Sequence, residues 1–178
     1  MQAQTRIARL STWLYWATIP ALVLLPLVAI LAVASSGFSG DTLASEFPGL
    51  QIADPLSNTQ LAMVRLAGAI PFIIIMLILD QLRCLLAAYR EARIFVPETV
   101  RHLHRIGLGL LALAVSQIVV RTVQILILTW SNPAGERTLS IGLSDAELGF
   151  LFAGGFVTLI GWVMSEATRL SDENRTFV

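Results

Sequence analysis

Four apolar blocks, each close to the length that crosses a bilayer, limit what this chain can fold into. They run from Trp13 to Ala34, Leu61 to Leu79, Ile106 to Trp130 and Leu148 to Met164. A spanning helix needs about 20 mostly apolar residues, since ~30 Å of hydrocarbon is crossed at ~1.5 Å per residue. The competing reading is an unusually apolar soluble helical bundle. A soluble domain keeps a charged shell, with roughly 25% charged residues as the norm. Here 13% of the 178 residues are charged and 56% are hydrophobic, and the hydrophobic ones gather into the four blocks. Long alternating segments of the kind an outer-membrane barrel needs are not found. The expected fold is therefore all-α, a four-helix transmembrane bundle. It forms a single integral membrane domain over residues 1–178, with spans at about 13–35, 61–82, 106–130 and 148–165.

The first block has a small-residue stretch at Ala32 to Ala34 that resembles a signal-peptide cleavage site. Its apolar run exceeds the ~7–15 residues of a signal core, which favours a retained span. Pro20 and Pro26 inside it are tolerable in a membrane helix.

Arginine placement orients the chain. All 12 basic residues are arginine. Arg6 and Arg9 precede the first span, and Arg83, Arg90, Arg93, Arg101 and Arg105 lie between the second and third. Arg169 and Arg175 follow the fourth. The other two connections, 36–60 and 131–147, hold Arg137 alone against six acids: Asp41, Glu46, Asp54, Glu136, Asp145 and Glu147. Arginine-rich loops stay on the cytoplasmic side. The pattern predicts a multi-pass membrane protein, with both termini, the 83–105 connection and the 166–178 tail in the cytoplasm.

The 83–105 connection reads as a helical hairpin. Leu79, Leu82, Leu86 and Tyr89 keep helical spacing beyond the second span, which predicts an amphipathic extension of roughly three turns. Pro97 suits the first turn of a new helix, and Glu98 complements its dipole. In the second outer loop Ser144 and Glu147 have the spacing of a capping box that opens the fourth helix. On that helix Gly154, Thr158, Gly161 and Ser165 form one narrow face of small residues, which permits close helix approach. The same face serves packing within one chain or a homodimer.

No catalytic constellation is visible, so no enzyme activity and no cofactor or metal is expected. His102 and His104 are two apart and point to different faces of a helix. They read as surface histidines in an arginine-rich segment. Asp80 has Arg83 one turn on, the spacing of a local ion pair. Cys84 is the sole cysteine and reads as a small buried apolar residue. Zero net charge suggests no direct attraction to nucleic acid.

One residue resists the generic reading. Arg121 sits inside the apolar run Ser116 to Leu128, and its side chain stays protonated at any accessible pH. Helical spacing places Gln117 and Gln124 on the same face, one turn to either side. Such a polar stripe should face the protein interior. Its depth is roughly 12 Å below Thr129, at ~1.5 Å per residue. Two partners suggest themselves: Glu147 at the mouth of the fourth helix, and the Ala67 carbonyl that Pro71 leaves without its usual donor. The stripe is either a structural tether between helices or a polar ligand or ion pocket.

Two further stretches carry a family resemblance. In "IFVPETVRHLHRIG" an aromatic residue, Phe95, is followed by a helix-starting turn, Glu98-Thr99, then Leu103 and Ile106-Gly107. The tail "EATRLSDENRTFV" has Glu166, Leu170, the pair Glu173-Asn174 and a terminal Val178. Both patterns, with the four-span topology, resemble the bacterial membrane-protein family DUF2975. One departure is Val96-Pro97 where the family often has a Ser or Thr cap after the aromatic.

The resemblance implies an inner-membrane protein beside genes for small helix-turn-helix regulators. A regulatory or sensory role follows, in which Phe95, Glu98, Leu103, Glu173 and Asn174 bind such a regulator from the hairpin and tail. The alternative is a small transporter or channel subunit with its polar pocket at Gln117, Arg121 and Gln124. The lipid bilayer is a partner under both.

Overall fold

A computed structural model of the chain describes residues 2–35, 56–91, 93, 96–133 and 142–176. It contains four α-helices: α1 (Gln2–Ser35), α2 (Asn58–Arg90), α3 (Pro97–Thr129) and α4 (Asp145–Thr176). Each is long and apolar enough to cross a membrane. The 33 residues of α2 and of α3 correspond to about 50 Å, longer than a hydrocarbon core, so their ends project beyond it. Pro20 and Pro26 in α1 and Pro71 in α2 are accommodated without ending the helices.

The helix starts follow local chemistry. At α2, Ser57 accepts from the Thr59 N–H while its own N–H donates to the Gln60 side chain, a complete capping box. At α3 the N-cap is Val96, which offers no side-chain acceptor, and Pro97 sets the first helical turn. Thr99 compensates. It is fully buried, and its hydroxyl donates back to the Arg93 carbonyl at 2.8 Å, tying the connection to the new helix. At α4 the Ser144 N–H donates to the Glu147 carboxylate at 2.5 Å, which is the expected half of a capping box. The Ser144 hydroxyl donates to that carboxylate too, instead of accepting from the helix.

The helices pack in chain order, each antiparallel to the next. Among the described residues α1 packs only on α2, α2 on α1 and α3, and α4 only on α3. The bundle is therefore open, a row with α3 covered on two flanks, and α1 and α4 do not meet. An open row exposes large apolar side chains. Trp13 is 77% exposed, Leu66 74% and Phe152 68%. In water such a surface would be an aggregation liability, whereas lipid solvates it without any protein partner.

Each interface has its own chemistry. α1 presents buried Ser11 and Thr18 to α2, and the Arg90 guanidinium lies 4.6 Å from the centre of the Tyr15 ring. Between α2 and α3, buried Val64, Ile125 and Leu128 form the core, and Gln60 donates to the Ile127 carbonyl at 3.1 Å. Between α3 and α4 the backbones themselves approach. A Cβ on Gly107 would stand 2.6 Å from the Thr158 backbone nitrogen, and one on Gly154 would stand 2.9 Å from that of Leu111.

Candidate functional site

The register of α3 against α4 explains where Arg121 sits. Leu111 meets Gly154, Gly107 meets Thr158, and His104 meets Gly161. Ten residues up α3 from Leu111 is Arg121, and ten residues back along α4 from Gly154 is Ser144. The charge is thus level with the first turn of α4, although α3 continues to Thr129 beyond it. An arginine that looks deeply placed along its own helix therefore lies beside the polar start of its neighbour.

At that level a cleft of about 340 Å³ opens across α3. Its floor is the polar stripe of α3, Gln117, Arg121 and Gln124, with Val120. Gly68 and Pro71 of α2 form one wall, and Glu147 of α4 forms the other. Glu147 is buried, 4% exposed, and Arg121 acts on it electrostatically. Gln124 donates to the Val64 carbonyl at 3.1 Å, across to α2. That carbonyl, rather than that of Ala67, is the backbone acceptor the stripe uses. Arg121 is half-buried, and among the described residues its guanidinium makes no hydrogen bond or ion pair. It faces the Glu147 carboxylate across the cleft without touching it.

The opposite end of α3 carries a second cleft of about 340 Å³, between the start of α3 and the second half of α4. Pro97, Val100, Arg101 and His104 line one side, and Gly161, Trp162 and Ser165 the other. Both histidines are half-buried against neighbouring helices. His104 stacks on Trp162 with ring centres 6.1 Å apart, and His102 Nδ1 lies 2.9 Å from the Gln81 side-chain oxygen of α2. They do point to different faces, and because α3 is flanked on two sides, both faces are covered.

The residues expected at a partner-binding surface are scattered in what can be described. Glu98 is exposed and lies 3.6 Å from Arg93 Nη1. Leu103 is half-buried. Phe95 lies outside the described residues. Glu173 and Asn174 fall in the last turns of α4, and their side chains lie outside the described set. Gly154, Thr158 and Gly161 are buried against α3, while Ser165 is exposed at the lip of the second cleft. Asp80 and Arg83 pair at 2.9 Å on the surface of α2. Cys84 is half-buried. Among the described residues no three His, Cys, Asp or Glu side chains come together in a metal-binding group.

Residues 12–178, nearly the whole chain, match the model of a family described as protein of unknown function (DUF2975). No curated protein and no solved structure matches the chain.

Proposed function

The chain belongs to that family, and from this premise we propose that it is a non-enzymatic regulatory protein of the bacterial inner membrane. In this reading both termini and the connection between α2 and α3 are cytoplasmic, and a small soluble helix-turn-helix regulator docks there. The observation that carries it is the cleft at the arginine-rich end. It is built on two helices held backbone to backbone, so it is a preformed surface, and Arg101, Trp162 and Ser165 remain exposed at it. Arginine and tryptophan are the side chains that most often anchor protein interfaces.

Two experiments test this reading. A reporter active only in the cytoplasm should work when fused after Val178 or inserted near Arg93, and fail at Gly40. Activity at Gly40 would overturn the orientation. For the partner, a small helix-turn-helix regulator of the Cro/C1 type, the class that the family resemblance implies, should co-purify with the wild-type protein. Arg101→Glu and Trp162→Ala should each weaken that capture about tenfold, and Phe95→Ala and Asn174→Ala should weaken it as well, with membrane insertion unchanged. Capture that none of the four substitutions alters removes the docking surface.

A transporter or channel subunit is the second reading, favoured by the cleft at Arg121. A pathway needs polar lining that continues across the membrane. The polar stripe stops at Gln117, and the same face of α3 continues with Ala114 and Leu110. The cleft is a pocket open at one level, which favours binding over passage.

A further inference from the structure

The geometry points to the Arg121 cleft as a binding site for a zwitterionic group, one with an acidic oxygen and an ammonium close together. The proposal does not rest on the regulatory reading, and it names a ligand class for the cleft that the second reading uses. Its basis is a cation and a carboxylate that face one cleft without pairing with each other. Arg121 brings a permanent charge with a planar fork of donors, and among the described residues nothing accepts from it. Gln117 stands one turn below it on the same floor. Gln124 uses one amide hydrogen on the Val64 carbonyl, and its NH₂ group carries a second. These are donors for an anionic oxygen. Glu147, across the cleft, is held by the Ser144 N–H and hydroxyl. Its negative charge would oppose a plain anion on Arg121, and Arg121 would oppose a plain cation on Glu147. A molecule with both charges satisfies each without offending the other.

The shape agrees. A cleft of about 340 Å³ is at the small end of ligand-pocket volumes and suits a headgroup-sized molecule. Gly68 keeps the α2 wall low, since a Cβ there would stand 3.4 Å from the Gln124 amide nitrogen. Because α2 and α4 flank α3 without packing on one another, the groove is also open along the row. A phosphate or carboxylate would take the fork of Arg121, the ammonium would reach Glu147, and any acyl chains would lie along the lipid-exposed faces. The same chemistry is offered by a zwitterionic phospholipid headgroup and by a free zwitterionic solute.

The test uses the full-length protein in detergent, with binding read by native mass spectrometry. The probes are phosphatidylethanolamine, phosphatidylglycerol and soluble phosphoethanolamine. Wild-type protein should bind phosphatidylethanolamine at least tenfold more tightly than phosphatidylglycerol, which lacks the ammonium. Arg121→Gln should weaken that binding tenfold or more, and Glu147→Gln should abolish the preference between the two lipids. Displacement by soluble phosphoethanolamine would assign the site to free solutes as well, and lack of displacement would assign it to lipid. If Glu147→Gln fails to fold because the Ser144 bonds are lost, the wild-type preference and Arg121→Gln still decide. Equal or tighter binding of phosphatidylglycerol overturns the proposal, as does a folded Glu147→Gln that keeps the preference, or no retention of any probe.

Discussion

The two flanks of α3 hold their neighbours by different means. Toward α4 the contact is between backbones, with Gly107 and Gly154 each standing where a side chain would collide and Gly161 in ordinary contact with His104. Toward α2 the contact is between side chains, with Val64, Ile125 and Leu128 as core and Gln60 and Gln124 reaching carbonyls across the interface. Lipid tails are as apolar as leucine, so neither flank draws on a hydrophobic difference between helix and solvent. What remains is close packing on one side and specific hydrogen bonds on the other. At Gly107 and Gly154 the first tolerates no added atom. The second tolerates substitution but fixes register, because an amide left without its carbonyl in hydrocarbon is costly.

Substitutions can break this contrast in graded steps. Gly107→Val should have the largest effect. Its Cβ meets the Thr158 backbone, which cannot rotate away, so the two helices must separate; overpacking at this level costs about 3 kcal/mol. Thermal unfolding in detergent should fall sharply, and an unchanged midpoint would show that the two backbones are not in contact. Gln124→Leu on the other flank should cost about 1 kcal/mol, the scale of one interhelical hydrogen bond in a membrane. A loss as large as that of Gly107→Val would erase the distinction between the flanks.

Arg121→Leu should change stability by less, within ~0.5 kcal/mol, since among the described residues nothing accepts a hydrogen bond from Arg121 and its loss relieves desolvation. A drop of more than ~1 kcal/mol, partly rescued by Arg121→Lys, would restore the tether role for this residue. Gly155→Ala should be the mildest. Its Cβ would enter open space one residue from Gly154, and the better helix propensity of alanine should leave stability equal or raised by up to ~1 kcal/mol. Instability in that variant would mean that α4 uses more of its surface than the face turned to α3.

Much of this was readable before any coordinates. The polar stripe of Gln117, Arg121 and Gln124 follows from a period of 3.6, and the three residues do share one cleft. The small-residue face of α4 was readable for the same reason, but whether it met its own chain or a second copy was not. The contacts of the two histidines with flanking helices were not readable either. Nothing local to "RHLHR" says that helices lie on two sides of it. The structural role of Thr99 was not readable, because it reaches back six residues to a carbonyl when the usual capping position holds a valine.

Span number and the approximate place of each span are properties of the sequence alone, because crossing hydrocarbon is a demand on length and composition that each segment meets by itself. The order of the row and its registers are not, because they depend on which surfaces of different segments fit at close range. Only the tertiary structure brings the start of α4 level with Arg121. The glycine contacts 10 residues away set that register. In this way packing between two backbones decides that a charge within an apolar run faces a carboxylate instead of lipid.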